Sequence, residues 1–225
     1  MTIAAAEHSR EPLSSRWKRM TDDEKRRRIV DAVLSLVAKH GVQWATTARI
    51  AATVGVSEPT LYRTFKNRKE MLLAAADRIW DQRRIELESF ESTDAMDFLR
   101  KVCASHTAGI RNTKVVRFIT ELAVSHPSDG LSDHIRDLQF GDVGHLAELV
   151  AQGKAEGSIR ADVDPWEAAW RIQTVYWLEA MARLHGLEEH VLTGFSTRRF
   201  QAILDDIATW PAPVDPQGDR ASRPE

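Results

Sequence analysis

The chain predicts an all-α protein, with a small N-terminal three-helix domain and a larger helical body. Three observations lead there. No stretch alternates apolar and polar residues at period two, so no strand is expected. Apolar residues recur instead at spacings of three and four from Ile29 onward. Helix-start signals punctuate the chain at Thr21-Asp22-Asp23-Glu24, Asn67-Arg68-Lys69-Glu70 and Asp164-Pro165-Trp166-Glu167.

Composition narrows the class further. The 225 residues are 43% hydrophobic and 28% charged, ordinary values for a globular protein with a sizeable core. A single cysteine, Cys103, excludes an internal disulfide framework and fits a reducing cytoplasm; a buried apolar role suits it better than redox sensing. No apolar run approaches membrane-spanning length, and the charged stretch from Glu7 to Arg19 leaves no signal-peptide core. The net charge of −2 hides an asymmetry. Residues 1–70 carry 14 Lys+Arg against 8 Asp+Glu, or +6; residues 71–225 carry 17 against 25, or −8. A basic end on an acidic body points to a nucleic-acid-facing N-terminus.

Taken in order, residues 1–20 read as a flexible basic arm bearing Arg10, Arg16, Lys18 and Arg19. The first helix starts at the Thr21 capping box, runs an apolar stripe through Ile29, Val30, Val33, Leu34 and Val37, and ends at Gly41. Between Thr46 and Lys69 lie two short helices and the start of a long one. Ile50, Ala51 and Val54 share a face; Gly55 supplies a left-handed turn; Ser57 caps the next helix with Pro59 in its first turn. Leu61 and Phe65 point inward, leaving Glu58, Thr60, Arg63 and Thr64 outward and Tyr62 on the flank. So short a helix with a polar, aromatic outer face buries little. Its shape is that of a helix-turn-helix, whose second helix enters the DNA major groove.

The long helix from Asn67 reaches about Ser89, with Met71, Leu72, Ala75, Ile79 and Leu87 inward. Further helices are expected over about 94–110, 113–125 and 131–156, the last with possible interruptions at Gly141 and Gly144. Pro127-Ser128-Asp129-Gly130 breaks the chain between them, and Gly157 to Val163 forms a loop. A helix opened by Asp164 runs to about His185, and a last one spans roughly 197–210. Pro211, Pro213 and Pro216 mark a disordered tail over 211–225.

The segment Thr46-Thr47, Ile50-Ala51, Gly55-Val56-Ser57, Thr60-Leu61-Tyr62, Phe65 and Lys66-Asn67-Arg68-Lys69 resembles the DNA-binding half of the tetracycline-repressor (TetR) family. The resemblance covers about Thr21 to Leu73; beyond it only the helical layout matches. One departure stands out. Thr64 occupies a position where many members carry a phosphate-contacting histidine. The resemblance implies a DNA-binding domain over 21–66 and a ligand-binding and dimerisation domain over 67–210.

Chemistry assigns roles within the reader. Arg63 has the fork to bind guanine, Thr60 can meet a thymine methyl or a phosphate, and Glu58 can accept from a cytosine amine. The family position implies phosphate contacts for Thr47, Tyr62, Thr64 and Lys66, with Arg68 among the DNA-facing basic residues. In the body, Trp166, Trp170 and Trp177 can line one side of a helix, as an interface, core or pocket wall. Trp80, Phe118 and Phe140, with Trp170 and Trp177, are the candidate ligand-binding residues. His106, His126, His134 and His145 form no metal-binding motif, and neither a phosphate-cradling glycine loop nor a nucleophile elbow is present. No metal, cofactor or catalysis is therefore expected.

The expectation is a cytoplasmic, homodimeric, ligand-responsive regulator of the repressor kind. It would bind a pseudo-palindromic double-stranded operator and leave it when a small-molecule effector of unknown identity binds. The alternative is a helical ligand-binding or sensory protein with a vestigial DNA reader, toward which only Thr64 leans.

Overall fold

The computed structural model describes residues 17–109, 113–126, 129–191 and 194–209. The disordered tail expected over 211–225, and most of the expected arm, lie outside these residues. The described chain is helical: α1 (Asp22–His40), a 3-10 turn (Val42–Trp44), α2 (Thr47–Val54), α3 (Glu58–Leu61), α4 (Arg68–Glu88), α5 (Ala95–Gly109), α6 (Thr113–Ala123), α7 (Leu131–Glu156), α8 (Pro165–Leu184), α9 (Glu188–Val191) and α10 (Phe195–Ile207). Among the described residues the only β-type pairing is an isolated bridge between Ile159 and Ala208.

The chain divides into two compact units. One holds residues up to Ser89, Gly109–Gly141 and Ala180–Leu187; the other holds Phe90–Ala108, Asp142–Glu179 and the chain from Glu188.

In the first unit α1 begins with the capping box read from the sequence. Thr21 Oγ1 accepts from Glu24 N at 3.2 Å, and the Glu24 carboxylate accepts from Thr21 N at 2.7 Å. Three acidic residues stand in that first turn, where the helix dipole favours them. Ile29, Val30, Val33 and Val37 are buried in one apolar cluster with Ile50, Val54, Leu61, Phe65, Met71, Leu72 and, from α6, Phe118 and Leu122. One expectation changes here. Residues 17–19 are already helical, and Trp17 is only 8% exposed within this cluster. The flexible arm therefore does not extend to residue 20, because burying an indole stabilises an ordered segment.

The N-cap signals resolve in detail. Ser57 has the extended backbone of a cap, yet its hydroxyl pairs with Thr60 Oγ1 at 2.9 Å rather than capping α3. Asn67 does cap α4, accepting from Glu70 N at 2.9 Å, but the Glu70 carboxylate reaches back to Lys66 N at 2.8 Å, one residue beyond a strict capping box.

In the second unit Asp164 caps α8, accepting from Glu167 N at 2.8 Å. Leu99, Val102, Cys103, Leu146, Val150, Ile172, Phe200 and Leu204 are buried. Helix α7 runs unbroken past Gly141 and Gly144, so the expected interruptions do not occur. Neither glycine has a positive φ, and a lone glycine inside a long helix costs only about 1 kcal/mol. Later in the same helix, a Cβ at Gly153 would stand 2.6 Å from Ile159 Cδ1, so glycine there makes room for the chain folding back.

Candidate nucleic-acid interface

The reader is built from α2, α3 and the turn between them. Gly55 takes φ +82, ψ 37, a left-handed conformation that ends α2 and aims the chain into α3. Leu61 and Phe65 are fully buried and fix the inner side of α3. The Arg26 guanidinium lies 4.2 Å over the Phe65 ring, joining α1 to the end of the reader.

Each expected contact residue has a definite place. Tyr62 is 46% exposed, Arg63 and Lys66 are exposed, and Thr60 and Thr64 are half-buried beside them. With Lys18, Arg26 and Ser57, Thr60, Arg63 and Thr64 line an open groove. The Lys66 ammonium is 4.0 Å from the Glu70 carboxylate at an exposed position, which leaves it available to phosphate.

Thr47 and Glu58 meet directly. The Thr47 hydroxyl donates to Glu58 Oε2 at 2.6 Å, tying the start of α2 to the start of α3. One oxygen of the Glu58 carboxylate is thereby taken by a neighbouring side chain.

Arg68 has two backbone partners. Its Nε donates to Ala45 O at 2.7 Å and its Nη2 to Val42 O. The guanidinium is partly buried, and that burial lowers its pKa against an opposing contribution from Asp129. Two of its five donors therefore hold the 3-10 turn. A basic residue beside an exposed cluster looks DNA-facing in sequence; the carbonyls that capture it lie 23 and 26 residues away.

The five aromatic candidates for ligand binding do not behave alike. Phe118 is 1% exposed and belongs to the packed core, with Trp80 partly buried against it. Phe140 is 56% exposed. Those three belong to the first unit. In the second, Trp170 and Trp177 are 38% and 43% exposed, their rings 5.8 Å apart and tilted by 52°. With Trp166 and Leu178 they make an apolar stripe on the outer side of α8. The inner side of α8 holds what sequence reasoning missed. Glu179 is fully buried, and its carboxylate is 2.9 Å from His106 Nδ1. The His106 ring stacks on Tyr176 at 3.6 Å. No local signal marks that pair, which spans 73 residues. Among the described residues no group of His, Cys, Asp or Glu is placed to hold a metal ion, and no helix is long and apolar enough to cross a membrane.

Known proteins agree with this geometry. The family described as "Bacterial regulatory proteins, tetR family" matches residues 29–75, which span most of α1, α2, α3 and the start of α4. The chain is 31% identical over 141 residues to the nucleoid occlusion factor SlmA of Pectobacterium carotovorum, covering 61% of this chain and 71% of that protein. It is 24% identical over 138 residues to the fatty acid metabolism regulator protein of Bacillus subtilis, covering 60% and 71%. Its fold is similar to a TetR transcription regulator from Haloarcula marismortui, with a TM-score of 0.74 at 17% identity, covering 83% and 100% of the two chains. It is similar also to FadR from Bacillus subtilis, solved in complex with stearoyl-CoA, with a TM-score of 0.65 at 19% identity, covering 80% and 98%. A helix-turn-helix built by the expected residues, a family match over it and a relative this similar lead to one conclusion: the chain belongs to the TetR family of transcriptional regulators.

Proposed function

We propose that this protein is a ligand-responsive transcriptional repressor that binds a pseudo-palindromic operator as a homodimer in the cytoplasm. Residues 21–66 read DNA, and residues 67–210 bind effector and partner subunit. The observation that carries the proposal is the division of the short stretch from α3 to Lys66. Leu61 and the following Phe65 are buried, while Tyr62, Arg63 and Lys66 stand exposed on a basic end of the chain. A surface of that kind suits a wet, negatively charged duplex.

Arg63 is the base reader, assisted by Thr60; Thr47, Tyr62, Thr64 and Lys66 hold the phosphates, and Glu58 orients Thr47. A second copy of the chain covers the stripe of Trp166, Trp170, Trp177 and Leu178, which is apolar enough to act as an interface core. The effector shifts the population toward a spacing of the two readers that no longer fits the operator, so DNA and effector weaken each other's binding. The names of the Bacillus relatives make a long-chain acyl thioester the first effector to try.

Selection of bound sites from random duplex DNA by the purified chain tests the proposal. An enriched inverted repeat, with binding that weakens steeply as salt rises, is the expected result. Absence of enrichment would favour a ligand-binding protein with a vestigial reader. Undiminished DNA affinity in a Tyr62→Phe, Lys66→Ala double variant would overturn the contact assignments.

A further inference from the structure

Helix α6 sends one carboxylate to the turn that leads into the DNA reader. The Glu121 carboxylate accepts from the backbone N–H of Val42 at 2.6 Å, across 79 residues of chain. Val42 is the first residue of the 3-10 turn, where a backbone N–H has no partner within its own turn. Gly41 makes the approach possible. It takes φ +87, and a Cβ there would lie 3.3 Å from Glu121 Oε1 and 3.4 Å from Oε2.

The same residue is held from the other side. Val42 O accepts from Arg68 Nη2, while Arg68 Nε takes Ala45 O. The backbone of Val42 is thus clamped between an acid on α6 and a base at the first residue of α4. Immediately afterwards Thr46 caps α2, so the clamp sits within four residues of the reader's first helix. Helix α6 is itself anchored in the reader's core by Phe118 and Leu122.

We propose that Glu121 is a positioning residue for DNA reading: by holding the Val42 N–H it fixes the direction in which α2 and α3 leave α1. The proposal rests on the regulator reading above. A half-buried, charge-assisted hydrogen bond of this length is strong, and it is lost once the atoms part by about an ångström. A small movement of α6 is enough to release the turn.

The test uses the full chain and its Glu121→Ala and Glu121→Gln variants. Amide exchange is followed at residues 42–46, and affinity is measured for the duplex recovered by site selection and for a random duplex. Glu121→Ala is expected to speed Val42 exchange by about tenfold and to reduce the selected-to-random affinity ratio by about tenfold, roughly the loss of one charge-assisted hydrogen bond. Glu121→Gln keeps an acceptor and restores most of both. Unchanged Val42 exchange in Glu121→Ala would overturn the clamp. Faster exchange with an unchanged affinity ratio would reduce it to a structural contact and overturn the positioning role. If Glu121→Ala does not fold, Glu121→Leu, which fills the space without offering an acceptor, takes its place with the same expected losses, and an unchanged ratio together with unchanged exchange in that variant removes the proposal. Failure of the wild-type chain to select any duplex would sink the regulator reading itself, a result distinct from wild-type selection with indifferent variants.

Discussion

The C-terminal end of α3 and helix α8 both expose aromatic side chains, and the two surfaces differ in what surrounds those rings. Where α3 ends, a single tyrosine, Tyr62, is flanked by Arg63 and Lys66, with Leu61 and Phe65 buried beneath. On α8 three tryptophans and Leu178 stand exposed together along a 20-residue helix. Mixed charge with one aromatic suits a hydrated polyanion, whereas a contiguous apolar stripe suits another protein surface. Exposed aromatic area is therefore not one signal. Its neighbours decide which partner fits.

The largest way to break the comparison is to remove the packing that holds α3. Phe65→Ala is expected to destabilise the chain by about 3–5 kcal/mol, because a fully buried ring also loses the Arg26 guanidinium stacked on it. Denaturant unfolding measures this, and a change below about 1 kcal/mol would show that α3 is not held by its core face. Next in size is the α8 stripe. A Trp170→Glu, Trp177→Glu variant is expected to sediment as a monomer and to bind the selected duplex about 100-fold more weakly, since two half-sites are then no longer engaged together. A folded, still dimeric variant would place the interface elsewhere.

Within the reader, two substitutions should separate. Arg63→Ala is expected to lose about 1–3 kcal/mol and to relax preference at one base position. Lys66→Ala should weaken all duplexes alike and lower the salt slope by about one. Parallel site-selection and salt-titration experiments distinguish them. Smaller still, Glu58→Gln keeps a partner for the Thr47 hydroxyl while removing a negative charge near phosphate, so DNA affinity should rise by about threefold. A loss of affinity would mean that the charge of Glu58 is itself used in recognition.

The smallest effect lies outside both surfaces. A side-chain hydrogen bond from Lys101, aided by the Thr93 N–H, holds the Asp97 carboxyl below its usual range. A depressed carboxylate stabilises the fold above its unfolded value of about 4, and that contribution disappears as pH falls through the lower folded value. Asp97→Asn should therefore melt slightly earlier than wild type at neutral pH and match it in acid. A gap that persists in acid would assign the effect to packing.

Much of the reader was legible because its determinants are local. Gly55, the Ile50–Val54 and Leu61–Phe65 spacings, and the Thr21 and Asn67 caps all act within about one helical turn. The helix boundaries of the body were close for the same reason, although the short helix α9 carried no periodic signal long enough to be seen. The site was less legible. Arg68 also grips two backbone carbonyls and Glu58 also takes the Thr47 hydroxyl, pairings that no local pattern in the sequence announces. Phe118, a candidate ligand-binding residue, lies buried in a packed cluster, and periodicity reports that a side chain points inward but not whether space is left beside it.

By itself, then, the sequence determined the all-α class, the helix-turn-helix and the face each of its helices presents, since these follow from spacing, caps and backbone preference along a continuous stretch. Only the tertiary structure decided that Val42 is gripped by Glu121 and Arg68, and that Glu179 is buried against His106. Those pairings join residues 26 to 79 positions apart. Any of several carboxylates and bases could have filled them on composition alone, and it is packing that brings these particular groups within hydrogen-bond reach.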